Sequence, residues 1–367
     1  MNKNNILNIK DNLNRLNKIK VGILGATGAV GQRFVSLLEN HPIFELTDLV
    51  ASERSANKLY SQTVKWILEE PMPKNVKDMK VKEVGEPHDA KLFFSALDSS
   101  VAQDIEMNYI KNGFIIISNA KNYRMNDDVP LMLADINGDH IRLLDFQNYG
   151  SGKIITNPNC VVSGLATCLK PIYDNLEIDF VNVVSMQAIS GAGYPGVPSM
   201  DIVGNIIPYI KDEEKKIEIE PLKILGKIDE NGFIKFADFK IFAQSNRVPV
   251  VNGHTASVMV KFKQKQNIDD IKSLFINFDN TLNIESKFGN YKIIVFEDRD
   301  DFPQPRFDVN KNYGMSVFVG HLNQKDDKII HFVYLVHNTI RGAAGAAILN
   351  AEYFCSKNIN LKKYNII

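Results

Sequence analysis

"VGILGATGAVG", residues 21–31, decides how the chain begins to fold. Apolar residues up to Leu24 form a strand, glycines then stand at 25, 28 and 31, and "GQRFVSLLENH" continues with helical periodicity. Strand, glycine turn and helix in that order make a GxxGxxG variant of the dinucleotide-binding fingerprint. Gly25 permits the tight turn. Gly28 lets the backbone N–H groups of Thr27, Gly28, Ala29 and Val30 approach a pyrophosphate, and Gly31 lets the helix lie close to the sheet.

The same alternation continues outward from this stretch. "LTDLVA", "KLFFSAL", "FIIIS" and "KIIT" read as strands buried on both faces, with helices such as "SVAQDIEMNYIKNG" between them. That pattern predicts a parallel, doubly wound sheet through about residue 155. Later strands are longer and several alternate in and out: "FVNVVSMQAIS", "KIFAQSNRVPV", "TASVMVKFKQK", "YKIIVFED", "GMSVFVGHL" and "KIIHFVYLVH". They predict a mostly antiparallel sheet with one face on helices. "HNTIRGAAGAAILNAEYFCSK" closes the chain as a helix. The expected class is therefore α/β: a Rossmann-like domain over residues 19–155, an α+β substrate and dimerisation domain over 156–337, and a helical segment, 338–367, that returns to complete the first.

Composition narrows the function. The 367 residues carry 43 Lys+Arg and 43 Asp+Glu, a formal net charge of zero, so there is no electrostatic case for a nucleic-acid partner. No run approaches the ~18 consecutive apolar residues of a membrane helix. Cys160, Cys168 and Cys355 are too few and too irregularly spaced for a disulfide framework or a zinc site, and a reducing, cytoplasmic compartment follows. Residues 1–18 read as a polar extension. Their helical spacing of Ile6, Ile9, Leu13 and Leu16 and their basic charge leave an organelle transit peptide as the alternative.

The second strand runs into "LVASERSANKL", which places Arg54 and Ser55 just past its end. Arg and Ser suit a ribose 2′-phosphate, favouring NADP over NAD, whereas Glu53 pulls the other way. In "TNPNCVVSGLAT", Asn157 and Asn159 are good N-cap residues and Cys160 opens the helix. A thiol in a first turn faces unpaired N–H groups that favour thiolate and that can hold an oxyanion. Cys168 and Cys355 lie among apolar neighbours and read as core. A thiolate attacking an acyl group needs a proton shuttle. Of seven histidines, His254 stands in the stretch best suited to a site, "NRVPVVNGHTASV", together with Arg247, which suits a carboxylate.

With these residues in place, the chain resembles the archaeal and fungal type of aspartate-semialdehyde dehydrogenase. Five motifs carry the resemblance in order: "GILGATGAVGQRF", "NPNC", "SMQAISGAGYPGVPSMDI", "RVPVVNGHT" and "NTIRGAAGAAILNAE". The resemblance implies NADP-dependent interconversion of L-aspartyl 4-phosphate and the semialdehyde through a cysteine thioester. It makes Cys160 the nucleophile, Gln187 the residue orienting the intermediate and His254 the acid–base. Arg247 is matched to the substrate carboxylate, Glu213 to its amino group, and Lys216 and Arg124 to phosphate. Asn338 and the run Ser190, Gly191, Ala192, Gly193 and Tyr194 match cofactor contacts, and a homodimer or homotetramer is expected. "MLADIN" departs from the family's usual strand ending, which reads as a drift in packing, and residues 1–18 have no counterpart. The alternatives are a paralogous acyl reductase such as malonyl-CoA reductase, whose substrate would leave Glu213 without a partner, N-acetylglutamyl-phosphate reductase, which lacks the "RVPV…GHT" stretch, and a catalytically silent NADP-binding redox sensor. The full set Cys160, Gln187, Arg247 and His254 speaks against the last.

Overall fold

The computed structural model describes residues 18–279, 282–357 and 366. The extension thus lies outside the described residues apart from Lys18. Six parallel strands form the first sheet: β1 (Ile19–Leu24), β2 (Phe44–Val50), β3 (Val81–Lys82), β4 (Leu92–Ser95), β5 (Ile115–Ser118) and β6 (Lys153–Thr156). Their order, β3-β2-β1-β4-β5-β6, reverses between β1 and β4. At such a switch point the connections leave in opposite directions and open a crevice at the carboxyl ends of the strands. Gly25 sits there. All four residues of β4 and of β5 are buried, because helices cover both faces.

Helix α1 (Ala29–Leu38) turns Gly31, Phe34, Val35 and Leu38 inward at helical spacing. Gln32 locks the glycine loop: its amide donates to the Thr27 and Lys65 carbonyls, both at 3.0 Å, and accepts from Ile67 N at 2.8 Å. Helix α2 (Ser99–Lys111) is capped by Asp98, whose side chain accepts from Ser100 N.

β6 runs through Asn157–Pro158–Asn159 into α3 (Cys160–Asn175), which lies on the second sheet. This sheet uses β7 (Ile178–Gln187), β10 (Lys240–Arg247), β11 (His254–Phe262), β12 (Ile294–Phe296), β13 (Val317–Asp326) and β14 (Ile329–Val336). β8 (Lys227–Ile228) and β9 (Ile234–Lys235) form a small separate ribbon. The order is β10-β7-β11-β14-β13-β12. The three inner pairs are antiparallel, but β10 on β7 and β12 on β13 are parallel, so the sheet is mixed where a mostly antiparallel one was expected. In–out alternation reports that one face is buried and carries no information on strand direction at an edge. On β11 the buried face is His254, Ala256, Val258, Val260 and Phe262. α3 approaches closely because Gly164 lies against the Tyr334 ring, where a Cβ would come within 2.4 Å.

The chain between β7 and β8 carries α4 (Glu213–Ile224), and α5 (Ile268–Asn277) follows β11. The closing segment, expected as one helix, begins as a π-helical turn over Ile340–Ala344 and continues as α6 (Gly345–Ser356). α6 returns to the first domain. Asn350 accepts from Ala134 N at 2.9 Å and donates to the Met132 carbonyl at 2.9 Å and the Asn157 side chain at 2.6 Å. "MLADIN" is more than a drift in packing, for the chain turns into a short helix at Ala134–Asn137 and its Asp135 pairs with the fully buried Arg341 at 2.6 Å.

Two glycines of the loop separate internal from external constraints. A Cβ on Gly31 would lie 2.2 Å from the Gly25 carbonyl oxygen, whereas one on Gly28 would meet only that oxygen, at 3.5 Å. Gly31→Ala is expected to destabilise by about 1–3 kcal/mol through overpacking, and Gly28→Ala to leave the melting temperature unchanged. Thermal unfolding of the two variants checks this.

Candidate active site

Cys160 begins α3 because Asn159 stops the chain in extended backbone and caps the helix. Its side-chain oxygen accepts from Val161 N at 2.9 Å and Val162 N at 3.3 Å. The cap therefore occupies the amides expected to stabilise a thiolate or an oxyanion, and leaves the amide of Cys160 itself unengaged by it. Gly342, in the π turn, packs on the nucleophile: a Cβ there would lie 2.8 Å from Cys160 Cβ.

Strand register assembles the partners. Gln187 ends β7 directly beside Arg247, which ends β10, and His254 starts β11 on the same buried face. His254 Nε2 lies 3.1 Å from Cys160 Sγ. The Ala188 amide donates to Nδ1 at 3.0 Å. An amide only donates, so the neutral ring carries its proton on Nε2, aimed at the sulfur. Arg247 Nη1 donates to the Ala188 carbonyl at 2.7 Å. Gly191 covers both side chains. A Cβ on it would come within 2.8 Å of His254 Cε1 and 2.9 Å of Arg247 Nη1.

Glu213, at the start of α4, is buried and joins three of these groups. It accepts from Asn159 Nδ2 at 2.7 Å, Gln187 Nε2 at 3.1 Å and Lys216 Nζ at 2.8 Å. Burial pushes its carboxyl up, but the Lys216 ammonium and these hydrogen bonds outweigh it and hold the group below the usual carboxylate range.

The resting charge state corrects an expectation. Burial pushes the Cys160 thiol up to about 12, with Glu213 adding to it, while Arg247, Lys216 and Arg124 pull the other way. Burial likewise pushes the His254 imidazole down to about 3, reinforced by Arg247 and opposed by Glu213. Cys160 rests as a thiol beside a neutral imidazole.

Cys160 opens on a cleft of about 720 Å³, with Gln187, Glu213, Arg247 and His254 buried behind it and off its wall. Its wall holds Cys160, Lys216 and Arg124 together with Gly25, Thr27, Gly28, Ala29, Val30, Ser190, Gly191, Ala192, Gly193, Tyr194 and Asn338. Asn338 donates to Ser190 Oγ at 2.8 Å and accepts from Gly253 N at 2.9 Å, which fixes that end of the wall. Gly31 lies beneath the loop as packing. Arg54 and Ser55 are not on the wall. Arg54 is exposed on the turn beyond β2, and Ser52 occupies the position that faces the cleft.

Family models match the chain in two parts: the NAD-binding domain of semialdehyde dehydrogenases over residues 20–144 and their dimerisation domain over residues 169–341. An aspartate-semialdehyde dehydrogenase of Archaeoglobus fulgidus is 44% identical over 346 residues, covering 93% of this chain and 99% of its own. One from Schizosaccharomyces pombe is 44% identical over 356 residues, covering 93% of this chain and 99% of its own. The chain belongs to the aspartate-semialdehyde dehydrogenase family. A crystal structure of the Candida albicans enzyme with NADP superposes with a TM-score of 0.83 at 38% identity, over 95% of this chain and all of that one.

Several residues of the site escape a sequence reading. Lys121 lines the cleft and pairs with Asp212 at 3.4 Å. Glu220 and Lys223 lie buried behind Arg124. Glu213, Lys216, Glu220 and Lys223 recur at spacings of three, four and three, which places them on one helix face. That spacing was the available signal, in a segment that otherwise reads as a solvated charged face.

The raised thiol has a measurable consequence. With no substrate present, the alkylation rate of Cys160 by iodoacetamide should climb about tenfold per pH unit through pH 9, because only the thiolate reacts. A plateau below pH 8 would show a standing thiolate.

Proposed function

We propose that this chain catalyses the NADPH-dependent reductive dephosphorylation of L-aspartyl 4-phosphate to L-aspartate 4-semialdehyde through a thioester on Cys160. The observation that carries this is the set of opposed charges around one thiol. Arg247 answers an α-carboxylate, Glu213 an α-ammonium, and Lys216 with Arg124 a phosphate.

The dinucleotide fits the cleft. The start of α1 has no side-chain cap, and the space beside Gly28 is not needed by the protein's own packing. Thr27, Gly28, Ala29 and Val30 would hold the pyrophosphate, and Ser190 to Tyr194 with Asn338 the nicotinamide end. For the 2′-phosphate, Arg54 and Ser55 are the expected partners, with Ser52 beside them on the cleft wall. When bound, NADPH supplies the hydride that reduces the thioester.

Substrate binding prepares the nucleophile. An α-ammonium beside Glu213 offsets the negative charge that works against the thiolate, and leaves the three cations to favour it. The sulfur then attacks the acyl carbon, the thiol proton passes to the departing phosphate, and hydrogen phosphate leaves with the bonding electron pair, held by Arg124 and Lys216. Gln187, tied to Glu213, orients the acyl group. His254, with its proton on Nε2, acts first as a hydrogen-bond donor and acid toward the reacting centre, and recovers the proton as the aldehyde is expelled and the sulfur freed.

An outer sheet face with exposed Val184 and Phe242, and exposed Met200, Val203, Ile206 and Tyr209 in the segment after β7, support assembly as a homodimer, with a homotetramer as the larger alternative. Glu213 separates the aspartyl substrate from that of a malonyl-CoA reductase, which has no amino group.

The test is phosphate-dependent oxidation of aspartate semialdehyde with NADP, run beside the CoA-dependent reaction. Removing one charge of a desolvated pair costs about 2–5 kcal/mol, so Glu213→Gln should lower kcat/KM for the semialdehyde by at least about 30-fold. Unchanged semialdehyde kinetics, with efficient reduction of malonyl-CoA by the wild type, would overturn the aspartyl reading.

A further inference from the structure

One buried carboxylate that does not face the cleft joins two parts of the site. Glu220, on α4, is 3% exposed. Its Oε1 pairs with Arg124 Nη1 at 2.8 Å, and its Oε2 accepts from the backbone amide of Asn159 at 2.7 Å. Both oxygens are thus committed, one to the guanidinium on the cleft wall and the other to the residue that caps the nucleophile's helix. Arg124 is held further by Nη2, which donates to the Asn119 carbonyl at 2.8 Å. Its Nε is buried and has no partner among the described residues. One turn along α4, the fully buried Lys223 donates to the carbonyls of Arg124 at 2.7 Å, Asn126 at 2.6 Å and Val129 at 2.9 Å, and so fixes the loop that carries Arg124.

We infer that Glu220 is a positioning residue that sets the distance and direction between Arg124 and Cys160, and through them between the departing phosphate and the attacking sulfur. This rests on the reading of Arg124 as a phosphate contact. A buried ion pair is weak as a source of stability, because desolvation offsets its attraction. What it supplies is geometry: a carboxylate has two equivalent acceptors and can fix a guanidinium and an amide at once. A glutamine cannot do so, since its amide has one acceptor oxygen and its NH₂ would face a donor on the other side. With Glu220 in place, Arg124 cannot turn away from the cleft it lines, and the second N–H of each of Nη1 and Nη2 remains for a phosphate oxygen.

The experiment is a double-mutant cycle on the intact enzyme, with phosphate-dependent oxidation of aspartate semialdehyde by NADP as the assay. Glu220→Gln should raise KM for phosphate by about tenfold, the scale of one charge-assisted hydrogen bond, and change KM for NADP less than about twofold. In the Arg124→Leu background the same substitution should have no further effect on phosphate. An equal factor in both backgrounds, or parallel rises for phosphate and NADP with a lowered melting temperature, would overturn the inference in favour of general damage. If Arg124→Leu alone leaves phosphate unaffected, the reading of Arg124 fails and the inference with it. Protection of Cys160 from iodoacetamide by inorganic phosphate gives the same comparison without turnover, for variants too slow to assay. Glu220→Asp keeps the charge and shortens the reach. It should also weaken phosphate, and wild-type behaviour would show that charge without position suffices, against the inference.

Discussion

Asn159 uses every polar group it has, and the active site depends on that. Its side-chain oxygen caps α3 at Val161 and Val162, and its side-chain amide donates to Glu213. Its backbone amide donates to Glu220, and its carbonyl accepts from Ser163 N at 2.9 Å. The residue before the nucleophile therefore starts the helix and ties two carboxylates of α4 to it. The carboxylates in turn hold Gln187, Lys216 and Arg124. One capping residue thus relates the positions of the sulfur, the Glu213 carboxylate and the cations Lys216 and Arg124.

Neither sheet contains a site alone. The first contributes the glycine loop at its switch point and Arg124 beyond β5. The second contributes Gln187, Arg247 and His254 at the ends of three adjacent strands, where register brings them together. α3, α4 and the π turn fill the space between. The close approaches at Gly164, Gly191 and Gly342 are what allow these layers to meet around one thiol. Burial also pushes that thiol up, so the same packing that places Cys160 works against its ionisation.

The parts that depend on local pattern were legible in the sequence. The glycine spacing 25-28-31 predicted the turn and the close helix, and both-face apolar runs predicted parallel strands. Asn159 followed by Cys160 predicted a helix start. Edge-strand direction was not legible, because β10 and β12 alternate or bury residues in the same way whichever way they run. The resting thiol was not legible either. A helix terminus argues for thiolate, and only the structure shows that Asn159 takes the amides and that burial outweighs the three cations. Ser52, on the cleft wall just before Arg54 and Ser55, was not legible by residue type. Glu220 and Lys223 were hidden because a charged helix face in sequence looks the same whether it meets water or a buried guanidinium and three carbonyls.

The thioester is the central claim, and trapping it is the most direct test. The enzyme is mixed with aspartate semialdehyde and NADP in the absence of phosphate, quenched in acid, and analysed by peptide mass spectrometry. One equivalent of NADPH should form in a burst, with a single aspartyl adduct on the peptide containing Cys160 that is discharged when phosphate is added before the quench. An adduct on another residue, or NADPH formed in a burst with Cys160 unmodified, would contradict it.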